Sequence, residues 1–308
     1  MIRVEGLSKR YGDVAALDAV SFMAGRGEVL GVLGLNGAGK STLLRILAGE
    51  VNASAGRIEV GGVAMADDPR AIRGRVGYLP EQFPLYLDMR AHDFLAYMGR
   101  LNGVAPRALA ARIEEVAHRT HLTGQLHRVL GELSLGVQKR VGIARAILHQ
   151  PDVVILDEPV TALDPAEIVR MRALIRSLGG SHTVLVSSHI LSEVSETCDR
   201  LLVLHEGRLV GRGTEATLQA DLGRILRFTL QVRGALAQVE QALPEGTVIV
   251  GHQTLALGVT DVFIEMQDDR RETLVAELVD LGVGVRALVE RRSGLEEVFL
   301  SVVDGAKP

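Results

Sequence analysis

The chain has 308 residues, which is enough for one large or two modest domains, each with its own core. Hydrophobic residues make up 47% and charged residues 23%, a balance typical of a folded globular protein and not of a disordered one. The formal net charge of −4 argues against a dedicated nucleic-acid-binding protein, because such proteins usually carry a strong basic excess.

The cysteine content and the hydropathy of the sequence indicate in which cellular compartment the protein lies. Cys198 is the only cysteine, so no disulfide forms within the chain, and nothing points to an oxidising compartment. The first residues lack the apolar run of a signal peptide, and no run of about 18 apolar residues predicts a transmembrane helix. We therefore expect a cytoplasmic protein, with any membrane contact made through a partner.

From Ile2 to about Val210, short apolar strands alternate with amphipathic helices, the pattern of an α/β sheet. Hairpin-like segments lie on either side, at residues 2–30 and Leu201–Val210. Residues 84–150, nearly all helical in pattern from Met89 onward, predict a helical insert with its own small core. Three runs rich in β-branched residues predict buried parallel strands: Val29–Leu33, Val153–Leu156 and Thr183–Ser187.

The pattern changes after Thr214, and we expect a second domain over residues 221–308, behind an α/β domain of residues 1–220. The sequence pattern of the second domain predicts its elements in the order strand, helix, strands, helix, strand, helix. Within it, Asp261–Gln267 alternates as a strand does and Glu272–Leu281 is helical in pattern. This order suits a small ferredoxin-like α+β unit.

The strongest chemical signal is a glycine-rich loop between the strand Val29–Leu33 and an apolar helix predicted over Thr42–Ala48. Glycines let such a loop wrap an anion with backbone N–H groups, and the helix N-terminus adds a favourable dipole. Lys40 is placed to reach the β- and γ-phosphates, and the Ser41 hydroxyl to bind Mg²⁺. The loop satisfies G-x-x-x-x-G-K-[ST], and the predicted nucleotide-binding residues are Gly34, Leu35, Asn36, Gly37, Ala38, Gly39, Lys40, Ser41 and Thr42.

Polar side chains follow the other two predicted strands. Asp157 and Glu158 come directly after Val153–Leu156, where a desolvated carboxylate is costly unless it has a task. Asp157 suits a Mg²⁺ ligand acting through a water, and Glu158 a base that polarises the attacking water. His189 follows the third strand at the same edge of the sheet, where a structural role and a catalytic role are both open.

Together and in this order, these elements resemble the nucleotide-binding subunits of ATP-binding-cassette (ABC) transporters, over about residues 2–220. Leu133–Val137 is similar to the family's signature sequence: Ser134 and Gly136 keep the positions that contact the γ-phosphate, while the usual glycine and glutamine are replaced. In the family this segment belongs to the site of the opposite protomer. The resemblance therefore implies a homodimer or heterodimer of ATPase subunits that sandwiches two ATP molecules head to tail.

Three further positions match the family pattern. Asp164, in Thr161–Asp164, resembles the loop that crosses the dimer interface, and it is also a good helix N-cap before Pro165. Tyr11 sits where the family places an aromatic residue on adenine, although a hairpin-packing tyrosine is the alternative. His189 matches the family's switch histidine, which contacts the γ-phosphate.

The sequence departs from the family at the lid. The family's lid glutamine follows an aromatic-aliphatic-Pro sequence, whereas here Tyr78-Leu79-Pro80 precedes Glu81, and Gln82 comes one residue later. Either Glu81 takes the role as a carboxylate metal ligand or the register slips to Gln82. We favour Glu81, because exporter-type subunits with a Gly-Tyr-Leu-Pro-Glu sequence resemble this chain. The resemblance is to the gliding-motility and multidrug-export branches of the family.

Four aromatic residues after the lid lie where the family docks a helix of its membrane subunit. We expect Phe83 and Tyr86 to be interface residues and Phe94 and Tyr97, three apart on a helix, to fill the core of the insert. Leu295–Phe299 resembles an ending common among these exporter subunits.

The resemblance implies the ATP-hydrolysing subunit of an exporter, dependent on ATP and Mg²⁺. Its partners would be separate transmembrane permease subunits that hold it at the inner face of the cell membrane, with no nucleic acid involved. One alternative is a soluble cassette acting on ribosomes or DNA, although the chain lacks a second cassette and a long coiled coil. The other is a regulatory nucleotide-binding module with little turnover, which the altered signature and Glu81 leave open.

Overall fold

The computed structural model describes residues 1–66, 69–221, 226–255 and 258–291. The chain divides into two compact units, Met1–Thr214 and Glu215–Pro308. In the described part of the chain, no helix has both the length and the apolar character that a membrane span requires.

The first unit contains two sheets. Its strands are β1 (Ile2–Tyr11), β2 (Val14–Ala24), β3 (Val29–Leu33), β4 (Ala55–Val60), β5 (Val63–Ala64), β6 (Val76–Leu79), β7 (Val153–Leu156), β8 (Thr183–Ser188), β9 (Arg200–His205) and β10 (Arg208–Gly213). One sheet has the order β2-β1-β4-β5 and is antiparallel. The other has the order β10-β9-β3-β8-β7-β6 and is parallel except for β10, which forms a hairpin with β9.

The three predicted parallel strands are confirmed as β3, β7 and β8, and β8 extends one residue further, to Ser188. Every residue of these strands is buried, as expected for a parallel sheet covered on both faces. Leu33 pairs with Ser188, and Leu156 with Val186, so the carboxyl ends of the strands meet at one edge. The polar residues that follow them are therefore brought together.

Helices cover both faces of the parallel sheet. They are α1 (Lys40–Leu47), α2 (Pro69–Arg75), α3 (Ala91–Leu101), α4 (Pro106–Arg119), α5 (Leu135–Ile147), α6 (Pro165–Leu178) and α7 (Leu191–Ser195). The predicted helical insert corresponds to α3, α4 and α5, with a short 3₁₀ helix at Leu130–Glu132. Its apolar side chains, among them Phe94 and Val116, belong to the same buried cluster as Val154 and Val184 of the sheet. The insert thus shares its core with one face of the sheet, where we expected a core of its own.

The second unit begins with α8 (Glu215–Asp221). It continues with β11 (Leu226–Arg233), α9 (Leu236–Gln241), β12 (Thr247–Thr254), β13 (Thr260–Met266), α10 (Arg271–Asp280) and β14 (Gly284–Arg291). The sheet is antiparallel with the order β12-β13-β11-β14, which is the ferredoxin-like arrangement that the pattern predicted. The expected last helix, with Leu295–Phe299, lies outside the described residues.

Candidate nucleotide site

The glycine-rich loop connects β3 to α1 as predicted, although α1 begins at Lys40 and not at Thr42. Gly39 has a φ of +103°, and a Cβ there would lie 2.5 Å from the carbonyl oxygen of Ala16. Gly37 has a φ of +84° with no heavy atom within 4 Å of its Cβ position, so the loop is open on that side. Only glycine adopts this backbone without strain, and the open side leaves room for an anion.

Lys40 lies at the first position of α1 with its side chain buried. Its Nζ donates a hydrogen bond to the carbonyl oxygen of Gly34 (2.8 Å) and lies 3.5 Å from Glu158 Oε1. The ammonium group thus reaches back across the loop. A lysine in this position presents a fixed positive charge to any phosphate that enters.

Asp157 is almost fully buried at the carboxyl end of β7. Ser187 Oγ donates to its Oδ1 (2.6 Å), and its main-chain N–H donates to the carbonyl oxygen of Leu79 (2.8 Å). Burial raises the pKa of Asp157, and hydrogen bonds from Ser187 and Ser41 oppose that rise. Ser41 and Asp157, both predicted to bind a metal, are thus close enough for the hydroxyl group to stabilise the carboxylate.

Glu158 has a positive φ of +48°, a conformation that costs free energy in a residue other than glycine. Its Oε2 accepts a hydrogen bond from Thr161 Oγ1 (3.0 Å) and lies 2.9 Å from His189 Nδ1. Its main-chain N–H donates to Ser187 Oγ (2.8 Å). The carboxylate is therefore oriented from several directions, next to the Nζ of Lys40.

The glycine-rich loop, Lys40, Glu158 and His189 line one cleft of about 440 Å³, whereas Asp157 is not among its lining residues. Its lining residues are Ala16, Leu35, Asn36, Gly37, Ala38, Gly39, Lys40, Ser41, Thr42, Glu81, Glu158, Thr161 and His189. Glu81 is among them and Gln82 is not. Thr161 was not predicted to be a site residue. The sequence feature that could have identified Thr161 is its position three residues after Glu158, because a short turn of that length brings a hydroxyl group back to a carboxylate.

Tyr11 lies at the end of β1, where it pairs with Val14 across the hairpin. It is 47% exposed, and the Nζ of Lys9 lies 4.9 Å from the centroid of its ring. Tyr11 is not among the residues that line the cleft. Its contact with adenine stays a prediction.

The signature-like residues also lie away from the chain's own cleft. Ser134 is the exposed N-cap of α5 and makes no capping hydrogen bond through its side chain. Gly136 is buried, and a Cβ there would lie 2.9 Å from Glu167 Oε2. Asp164 caps α6 by accepting from the N–H of Glu167 (3.0 Å), with Pro165 at the first helical position, which confirms the predicted helix start.

The aromatic residues after the lid divide differently from our expectation. Phe94 is fully buried as predicted, but Tyr97 is 41% exposed, so placing it in the core was wrong. Phe83 is partly buried against the main core cluster and lies close to Gly142, so it is not a free surface residue. Tyr86 is 51% exposed and packs edge-on against both Phe94 and Tyr97, with ring centroids 6.2 Å and 5.9 Å apart.

A glycine-rich loop between a parallel strand and a helix, with lysine, carboxylates and histidine at one sheet edge, defines a P-loop nucleoside triphosphatase. The ABC transporter family model matches residues 17–161. The daunorubicin resistance ATP-binding protein DrrA3 of Streptomyces coeruleorubidus is 35% identical, across 97% of this chain and 94% of its own length. The bacitracin transport ATP-binding protein BcrA of Bacillus licheniformis is 30% identical, across 99% of this chain and 98% of its own.

Among solved structures, an ATP-binding subunit of an ABC transporter superposes with a TM-score of 0.63 at 30% identity. The superposition covers 72% of this chain and 93% of that one. The chain therefore belongs to the ABC transporter family, as an ATP-binding subunit with ATPase activity.

Proposed function

We propose that the chain is the ATP-hydrolysing subunit of an exporter, which binds ATP and Mg²⁺ in a head-to-tail dimer and drives separate transmembrane permease subunits. The observation that carries the proposal is the convergence of Lys40, Glu158 and His189 beside the phosphate loop, with separations of 3.5 Å and 2.9 Å from the carboxylate. The names of the relatives, for daunorubicin resistance and bacitracin transport, support export as the direction.

The loop suits the phosphates of ATP. Its positive-φ glycines leave an open side toward which a phosphate can approach, and α1 begins directly behind it. Lys40 would exchange its contact with the Gly34 carbonyl for phosphate oxygens, which are the stronger acceptors.

The oxygen donors of the site suit Mg²⁺, which is usually held by one or two carboxylates and by substrate phosphates. The Ser41 hydroxyl stabilises the Asp157 carboxylate, and Ser41 and Glu81 both line the cleft. These three residues would hold the ion. When bound, Mg²⁺ neutralises negative charge on the phosphates.

Glu158 is the base in this proposal, and His189 is the residue that contacts the γ-phosphate. The hydrogen bond from Thr161 and the contact with His189 fix one carboxylate oxygen, which leaves Glu158 oriented to accept a proton from the attacking water. Ser134 and Gly136 lie outside this cleft, so in the proposal they complete the site of the partner protomer, and Asp164 lies in the interface between the two.

An exposed apolar surface, made of two tyrosines and two leucines after the lid, is the proposed docking site for the permease. It consists of Tyr86, Leu87, Tyr97 and Leu101, which are 51%, 52%, 41% and 65% exposed. Glu81, only five residues before Tyr86, links that surface to the cleft. In this arrangement the chain contacts the membrane only through its partner, on the inner face.

The head-to-tail arrangement can be tested by mixing two inactive variants. Lys40→Ala disables the phosphate loop, and Ser134→Phe blocks the signature segment at a side chain that makes no capping bond. A mixed dimer then holds one site with both defects and one site with neither. We expect each variant alone to lack Mg²⁺-dependent ATP hydrolysis and their mixture to recover about a quarter of the wild-type rate, since half of the dimers are mixed.

The matched control combines both substitutions in one chain and mixes that chain with inactive Lys40→Ala. Every dimer in this control lacks an intact phosphate loop, so no activity should return. Recovery in the first mixture alone supports shared sites. Activity in unmixed Ser134→Phe, or no recovery in the first mixture, would contradict the head-to-tail arrangement.

A further inference from the structure

Lys139 is a buried lysine whose charge the proposed function leaves without a task. It lies one turn into α5 and is only 7% exposed. Burial lowers the pKa of Lys139, and the negative charges of Glu158, Glu81 and Glu193 oppose that change. Burying a lysine is costly, so the contacts of its ammonium group call for an explanation.

Those contacts are with the main chain of the turn that follows Glu158. Lys139 Nζ donates to the carbonyl oxygen of Thr161 (2.8 Å) and to that of Glu158 (3.1 Å). The turn itself is closed by a weaker hydrogen bond from the N–H of Thr161 to the carbonyl oxygen of Glu158 (3.3 Å). One side chain therefore holds both ends of a four-residue turn.

The turn needs such support because its backbone is strained. Glu158 has a φ of +48° and Ala162, just beyond Thr161, a φ of +63°, and neither is glycine. Positive φ values in such residues persist only where surrounding contacts enforce them. The strain fixes the direction in which the Glu158 side chain leaves the backbone, and so the place of its carboxylate beside Lys40 and His189.

We propose that Lys139 is a positioning residue for ATP hydrolysis, whose ammonium group holds the Glu158–Thr161 turn in the conformation that aims the Glu158 carboxylate into the cleft. The inference rests on the proposed role of Glu158 as the base. Lys139 touches neither nucleotide nor reacting atoms in this account. It also ties α5, whose first residues carry the signature-like segment, to the hydrolytic turn of the same chain.

The test compares Lys139→Met with Lys139→Arg in Mg²⁺-dependent ATP hydrolysis, in ATP binding and in thermal unfolding. Methionine keeps the length and removes the donors, whereas arginine keeps the charge and can reach both carbonyl groups. We expect Lys139→Met to lower kcat about 10-fold or more, since small misplacements of reacting groups are costly. The Kd for ATP should change by less than about 3-fold, and Lys139→Arg should restore most of kcat.

Arg112→Met is the matched control for a loss of stability. Arg112 donates to the carbonyl oxygens of Leu148 (3.1 Å) and Ile147 (3.2 Å) at the other end of α5, far along the helix from the cleft. Arg112→Met removes the same kind of contact, together with an exposed ion pair to Glu115, and should leave kcat unchanged. A kcat for Arg112→Met that falls as far as that of Lys139→Met would reduce Lys139 to a structural role and overturn the proposal.

Two further outcomes separate this inference from the proposed function. If Glu158→Gln retains wild-type turnover, the role of Glu158 fails and the role of Lys139 fails with it. If Glu158→Gln is inactive while Lys139→Met turns over normally, only the positioning role is wrong. Should Lys139→Met not fold, Lys139→Gln provides the same comparison, because its single amide can bond one of the two carbonyl groups and predicts an intermediate kcat.

Discussion

The two units of the chain differ in what they bury. In the first unit, buried charged side chains gather at the carboxyl edge of the parallel sheet and at the start of α5: Lys40, Lys139, Arg140, Asp157, Glu158 and Glu193. Among the described residues of the second unit, the buried side chains are apolar, and its charged pairs, such as Arg227 with Glu265, remain partly exposed.

This difference separates a chemical site from a stabilising core. A buried charge lowers stability unless it is paired, so a concentration of such charges marks a site with a function. An apolar core with charges at the surface stabilises a fold and specifies no chemistry. On this comparison, we expect the sheet edge of the first unit to give up stability for ATP hydrolysis, whereas the described core of the ferredoxin-like unit contributes to the stability of that unit.

The largest effect expected in the second unit is on stability alone. Phe228 of β11 is fully buried in its core, and we expect Phe228→Ala to lower the free energy of unfolding of that unit by about 3–5 kcal/mol. Thermal unfolding should show an earlier transition for the second unit, with ATP turnover at low temperature unchanged.

Thr229→Ala is the control, since Thr229 is the next residue of β11 and lies on the opposite face of the strand. It should shift the transition far less. If Phe228→Ala abolished ATP turnover at temperatures where both units are folded, the core of the second unit would contribute to more than its own stability, and the comparison would be wrong.

Replacing Asp157 should have a smaller effect on thermal stability than Phe228→Ala, and the effect should be stabilising. Burial raises the pKa of Asp157, so the folded chain holds this proton to a higher pH than the unfolded chain does. Ionised Asp157 therefore lowers stability, and the loss grows as pH rises through the folded pKa. We expect Asp157→Asn to raise the Tm by a few degrees at neutral pH while turnover is lost.

Lowering the pH sharpens this prediction, because the protonated wild-type carboxyl group and the amide then carry no charge and the difference in Tm should shrink. Asp152→Asn is a matched control at a partly exposed carboxylate, paired with Arg75 at 2.7 Å, and should not raise the Tm. A lower Tm for Asp157→Asn at neutral pH would show that Asp157 is stabilising as an ion and would contradict the account.

Sequence reasoning reached the central strands and the phosphate loop because their signals are local. A buried β-branched run and a glycine-lysine loop each specify their own conformation. The ferredoxin-like order of elements could also be predicted, because the apolar residues of each strand and helix in that unit recur with the period of that element. Asp164 was predicted as a helix cap for the same reason, from its position before Pro165.

The features that could not be predicted depend on contacts between residues that are distant in the sequence. Lys139 reaches a turn 19 residues away, and nothing in its own helix distinguishes it from a surface lysine. The positive φ of Glu158 had no signal, because glycine is the usual mark of that conformation. Helical spacing put Phe94 and Tyr97 on one face, but the depth of each depended on how the helix packs against its neighbours.

The most direct test of the central claim measures ATP binding and Mg²⁺-dependent ATP turnover in the same samples of wild-type chain and Glu158→Gln. We expect turnover to fall at least about 100-fold while the Kd for ATP changes little, because the base is lost and the phosphate loop is intact. The variant should also accumulate as a dimer in the presence of ATP. Turnover by Glu158→Gln at the wild-type rate would show that Glu158 is not the base for ATP hydrolysis.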